Sequence, residues 1–137
     1  MDRVNRRGFL ECMAWVGTGV VWTATGGILS SRVLPAEAAE PAVGSFSFVQ
    51  ISDSHVGFKG EANKDAAATL QEVVTKINAL PTPPAFVIHT GDLTHGQKPG
   101  AFDTVAELLK GVKAEKIFYI PGEHDVFLDG GKEYLTR

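Results

Sequence analysis

Three short stretches place titratable side chains directly after apolar runs: ISDSH at residues 51–55, HTGDLTH at 89–95 and PGEHD at 121–125. Pro and Gly punctuate turns and polar residues decorate them, so any one stretch is accounted for as a surface turn. Recurrence at three sites asks for a shared role. Asp53 and His55 are two apart, and in extended backbone such side chains point the same way, which suits a pair of ligands for one divalent metal. Asp92 could bridge two metals and Glu123 could bind the second. His124 is then left to act on a substrate, with Asp125 orienting its ring through the other nitrogen. Cys12, the single cysteine, lies in an N-terminal segment read below as removed. The donors on offer are therefore oxygen and imidazole, which admit Mn, Fe, Zn or Mg.

The elements that must position these groups can be read from the intervening sequence. Residues 46–52 (FSFVQIS) are rich in aromatic and β-branched side chains and predict a strand. Ala66, Leu70, Val73, Val74, Ile77 and Leu80 recur at helical spacing and predict a helix over 63–80, with Asn63 as N-cap and Pro81 as its end. Residues 85–90 (AFVIHT) predict a strand apolar on both faces, as a parallel strand covered on two sides would be. Pro99 suits the first turn of a second helix, with Phe102, Val105, Leu108 and Leu109 as its stripe and Gly111 as its stop. Residues 117–120 predict a third strand. The expected class is α/β, in the order β-α-β-α-β. Strands joined by single helices run parallel through right-handed crossovers, so all three polar clusters are expected at the C-terminal ends of the strands, where open α/β sheets place their sites.

In this order the motifs resemble the N-terminal part of the calcineurin-like metallophosphoesterase family, whose pattern is D-x-H, then G-D-x-x, then G-N-H-D, with a lone His and a G-H-x-H downstream. The resemblance spans residue 46 to about residue 125. It implies the N-terminal portion of a β-sandwich flanked by helices, and a hydrolase acting on a phosphomonoester or phosphodiester with two divalent metal ions. It implies that Asp53 and His55 bind the first metal, Asp92 bridges, position 123 binds the second, and His124 protonates the leaving group or stabilises the transition state. Two departures stand out. Glu123 replaces the family Asn, adding a methylene and a negative charge. His124 is the last histidine of the sequence, and neither the lone His nor the G-H-x-H follows it. The chain is accordingly read as a fragment, a truncated gene product or a decayed copy. An exported remnant of the fold, with at most a weak metal site, is the alternative.

Outside these motifs, His95 reads as a loop histidine, with a ligand or supporting role as its alternative, and His89 as a core residue. No G-x-G-x-x-G or Walker pattern is present. Arg6 and Arg7 precede a stretch free of charge from Cys12 to Ser31, and Ala36 and Ala38 supply an A-x-A pattern with a cut after Ala38 or Ala39. Residues 1–39 are therefore read as a twin-arginine-type signal, handed to the twin-arginine translocation machinery, and residues 40–137 as the domain in the periplasm or outside the cell. A membrane anchor is the competing reading of that uncharged stretch. With a formal net charge of −3, 44% hydrophobic residues and no basic stripe, the 137-residue chain is read as globular, with no nucleic-acid-binding signal.

Overall fold

The computed structural model describes residues 19–25, 28–33 and 46–137. Five strands form one sheet: β1 (Val20–Thr25), β2 (Ile28–Val33), β3 (Phe46–Ile51), β4 (Phe86–Thr90) and β5 (Ile117–Ile120), in the spatial order β2-β1-β3-β4-β5. Helix α1 (Ala66–Asn78) connects β3 to β4 and α2 (Ala101–Lys110) connects β4 to β5, while the short helices α3 (Glu123–Val126) and α4 (Lys132–Leu135) follow. β3, β4 and β5 are parallel, as the crossover argument requires. The order β-α-β-α-β is thus the fold of residues 46–120.

Because β3, β4 and β5 advance across the sheet in one direction, right-handed crossovers place α1 and α2 on the same face. Val49, Ile51 and Val87 point to that face and meet Leu70, Val73, Val74 and Ile77 of α1 and Phe102, Val105 and Leu109 of α2 in one buried cluster. The expected start of α1 shifts. The N-cap of α1 is Asp65, whose carboxylate accepts from Ala68 N at 3.0 Å, while Asn63 Oδ1 accepts from Asp65 N one step earlier. A carboxylate two residues nearer the apolar stripe reaches the free N–H groups of the first turn.

The opposite face departs from the expectation that the strand at 85–90 is covered on both sides. Trp22, Phe48, Phe86 and Phe118 form a row across β1, β3, β4 and β5, with ring centroids 6.1, 4.7 and 5.5 Å apart. Gln50 runs a second row beneath it, accepting from Trp22 Nε1 and donating to Thr90 Oγ1, both at 3.1 Å. Among the described residues nothing covers this face, and Phe46 and Phe118 stay about half exposed at 49% and 47%.

The β1–β2 hairpin was not foreseen. It lies inside residues 1–39, read as an export signal, yet β1 pairs antiparallel with β3 from Val20 opposite Gln50 to Ala24 opposite Phe46. Val20, Val21, Trp22 and Thr23 have strand propensity, but a run of apolar and small residues does not by itself distinguish a strand from a signal core. Among the described residues no helix is long and apolar enough to cross a membrane. The paired arginines and the A-x-A pattern lie outside the described residues.

Candidate metal centre

The chain leaves β3 and β4 through two loops that continue the parallel pairing past the ends of the strands. Asp53 N donates to Gly91 O at 3.0 Å, His55 N to Asp92 O at 2.9 Å, Val56 N to Leu93 O at 3.0 Å and His95 N to Val56 O at 3.0 Å. This ladder fixes the first cluster against the second. Its backbone is not extended, contrary to the expectation for Asp53 and His55. Asp53, His55 and Asp92 have φ of 56°, 42° and 49°, and Gln97 is the other described non-glycine residue with positive φ. Left-handed backbone costs on the order of 1–2 kcal/mol per ordinary residue. Such strain concentrates where side chains must be aimed, and here it falls on three of the expected ligands.

The aim is convergent. His55 Nε2 lies 3.8 Å from Asp53 Oδ1 and 3.7 Å from Asp92 Oδ2. Donor atoms about 2.1 Å from a common ion sit roughly 3.0–3.4 Å apart, so closing by a few tenths of an ångström would seat a divalent cation. Two further contacts hold the carboxylates. The Ser52 hydroxyl donates to Asp53 Oδ2, and Asp92 Oδ1 accepts from His124 N at 3.0 Å, which leaves Oδ2 turned to His55. The residues present fit a hard or borderline cation bound by oxygen and imidazole.

The third cluster meets the other two through glycines. A Cβ on Gly122 would lie 2.1 Å from Asp92 Oδ1 and 2.3 Å from Asp92 N, and one on Gly91 would lie 3.0 Å from Gly122 Cα. Only a bare Cα at position 122 lets the β5 loop come this near, and Gly91 also takes φ of 106°. His124 then stands over the site, its ring centroid 5.0 Å from His55 and 4.8 Å from His95.

Two residues of the third cluster stand apart from the converging donors. Glu123 opens α3 with an exposed side chain and belongs to neither group of converging donors, which are Asp53, His55 and Asp92, and His55, His95 and His124. Asp125 does not orient the His124 ring. It is fully buried, and its carboxylate accepts from Leu93 N at 3.0 Å, Thr94 N at 2.8 Å, Thr94 Oγ1 at 3.1 Å and Gly122 N at 2.9 Å. Adjacent residues on a helical turn point in different directions, so Asp125 turns inward under the loops while His124 faces the site.

His95 joins the site, with Nδ1 3.4 Å from His55 Nδ1. Desolvation lowers its pKa, assisted by His124, His55 and Lys98. His89, expected in the core, is fully buried there, but only one of its nitrogens is paired. The Ser54 hydroxyl donates its one proton to Leu93 O at 3.0 Å, so it receives from His89 Nε2 at 2.9 Å, and His89 Nδ1 is left without a partner among the described residues. Burial pushes the His89 pKa from 6.5 down to about 4, against the opposing charges of Asp125 and Asp53. Below its ordinary value the unfolded chain takes up a proton that the folded chain resists. Stability is therefore expected to fall as pH drops from about 7 to about 5, by roughly 2 kcal/mol from this residue. Urea unfolding at both pH values checks this, and a His89→Gln chain with the same pH dependence would refute it.

The same stretch of chain carries the comparisons with known proteins. The calcineurin-like phosphoesterase family matches residues 46–136. A probable cyclic nucleotide phosphodiesterase from Rhodopseudomonas palustris is 38% identical over 80 residues, covering 57% of this chain and 29% of the relative. A second, from Rhodococcus erythropolis, is 34% identical over 82 residues, covering 56% and 27%. The chain thus spans under a third of the length of either relative. A match running from β3 through α4, over the loops that bring Asp53, His55, Asp92 and His124 together, makes this chain a member of the calcineurin-like phosphoesterases.

Proposed function

We propose that this chain supplies the first half of a two-metal phosphoesterase centre and, as part of a longer polypeptide, hydrolyses a phosphodiester of the cyclic nucleotide type. The observation that carries the reading is the convergence of Asp53, His55 and Asp92 through strained backbone at one edge of the sheet. The aromatic row on the uncovered face supports it, since a surface of this kind is the inner wall of a sandwich awaiting a second layer. So does the short span of the relatives that the chain covers.

Divalent cations bound here would supply the positive charge that draws electron density from the phosphoryl oxygens and acidifies the attacking water. The residues of the chain do the rest. Asp53 and His55 hold one side of the phosphate site and Asp92 reaches across it, its orientation set by His124 N. The His124 ring stands beside these donors and gives a proton to the leaving oxygen. The bond from His124 N to Asp92 Oδ1 ties the loop that carries the proton donor to the cation-holding group.

The test is hydrolysis of a cyclic nucleotide, bis-p-nitrophenyl phosphate and p-nitrophenyl phosphate, with metal content, on the 137-residue chain beside an in-frame extension. Two bound metals and diesterase turnover in the extension, both lost on Asp92→Ala, are expected. Metal and turnover absent from both proteins would instead favour a non-catalytic remnant, the reading to which the outward-facing Glu123 lends weight.

Export through the twin-arginine route is proposed for the same protein from Arg6, Arg7 and the Ala36/Ala38 pattern. A cut after Ala38 or Ala39 removes β1 and β2, uncovers the edge of β3 and takes away the Trp22 end of the aromatic row. N-terminal sequencing of the exported protein decides it. A mature chain starting at Ala39 or Glu40 is expected, and one that retains residues 20–33 would rule out removal of the signal.

A further inference from the structure

We propose that His95 is a positioning residue that sets the tautomer of His55, so that the nitrogen facing the carboxylates is the one free to bind metal. The proposal rests on the reading of Asp53, His55 and Asp92 as a metal centre.

The argument is a count of protons. His55 Nε2 is the ring atom turned toward the acidic side chains, 3.8 Å from Asp53 Oδ1 and 3.7 Å from Asp92 Oδ2. A neutral imidazole carries one proton on one of its two nitrogens. For Nε2 to offer a lone pair to a cation, the proton must sit on Nδ1, and there it needs an acceptor. The atom facing Nδ1 is His95 Nδ1, at 3.4 Å. His95 accepts, which places its own proton on Nε2. Ligating histidines are commonly held this way through their second nitrogen, by a carboxylate, a backbone carbonyl or water. Here an imidazole takes that place.

The surroundings fix the acceptor. His95 N donates to Val56 O at 3.0 Å, tying the residue to the loop that carries His55. One face of its ring stacks on His124, with centroids 4.8 Å apart and planes 22° from parallel, and the Phe58 ring meets it at 5.0 Å in a T-shaped contact. The loop after β4 therefore delivers two things three residues apart, Asp92 toward the cation and His95 toward the back of the other ligand. The opposing arrangement, in which His95 is itself a ligand, draws on the convergence of His55, His95 and His124 donor atoms within 4.8 Å.

Zinc titration of the 137-residue chain, followed by nitrogen NMR of the imidazole rings, separates these arrangements. In the zinc-loaded chain His55 Nε2 is expected to carry the metal-induced shift and His55 Nδ1 a proton, with His95 unprotonated at Nδ1. His95→Phe keeps the ring stack and removes the acceptor, and zinc affinity should fall by about 10–100-fold. His95→Gln restores an acceptor oxygen and should stay within a few-fold of the parent chain. A metal shift on a His95 nitrogen, or equal affinities for the Phe and Gln chains, would overturn the proposal while leaving the metal centre standing. Failure of both the 137-residue chain and its in-frame extension to bind zinc would remove the metal centre and this proposal together.

Discussion

Replacing Gly122 by alanine is expected to break the centre without touching a ligand. The added Cβ would lie 2.1 Å from Asp92 Oδ1 and 2.3 Å from Asp92 N, distances that no rotamer change relieves because one of the atoms is backbone. Either the β5 loop retreats, or Asp92 abandons its left-handed conformation and its bond to His124 N. Overpacking of this kind costs about 1–3 kcal/mol, and the part that displaces Asp92 appears as lost metal binding. Gly96→Ala is the comparison, since it imposes a side chain at positive φ, whereas Gly122 is extended, but meets nothing within 4 Å. Thermal unfolding and metal titration of the two variants should separate them: a modest stability loss with metal binding intact for Gly96→Ala, and loss of both for Gly122→Ala. Unchanged metal affinity in the Gly122→Ala chain would show that the close approach of the two loops does not position Asp92.

Asp125→Ala should be the most destabilising single change at the site. It strips the acceptor from Leu93 N, Thr94 N, Thr94 Oγ1 and Gly122 N, in a place where Thr94 is fully buried and Leu93 nearly so. Each buried donor left unpaired costs about 1–3 kcal/mol, softened by whatever water enters the gap, so a total near 3–5 kcal/mol is expected. Asp125→Asn keeps the shape but turns an amide N–H₂ toward N–H donors, and should fall between that variant and the parent. Removal of the His124 ring by His124→Ala should leave stability close to the parent chain, because among the described residues the hydrogen bond at position 124 is made by its backbone. Equal melting temperatures for the Asp125→Ala and His124→Ala chains would return Asp125 to the role of ring orienter.

The contrast between Asp125 and Asp53 shows where the residue pattern stops being informative. Both are acidic residues in a turn after an apolar strand, next to or near a histidine. One faces the cation site and the other braces it from below, because its neighbours in space lie more than 30 residues away in the chain. Glu123 and His95 are placed by the same kind of distant contact. Position 123 begins a short helix and turns outward, whereas His95 is carried to His55 by the bond from its own N–H to Val56 O. Neither outcome has a local signature, since helical direction and cross-loop ladders are set by the packing of whole elements.

By itself the sequence determined that three parallel strands would deliver their polar turns to one edge. Period-two and period-3.6 patterns identify buried faces locally, and single-helix crossovers make the strands parallel, so their C-terminal ends share one edge. It also marked Asp53, His55, Asp92 and His124 as the groups to watch. The tertiary structure decided how those groups meet. Left-handed backbone at Asp53, His55 and Asp92, paired glycines at 91 and 122, the buried acceptor of Asp125 and the imidazole behind His55 all depend on contacts between loops distant in sequence. The hairpin against β3 depends likewise on a partner strand, since strand pairing is a property of two segments and cannot be written in one.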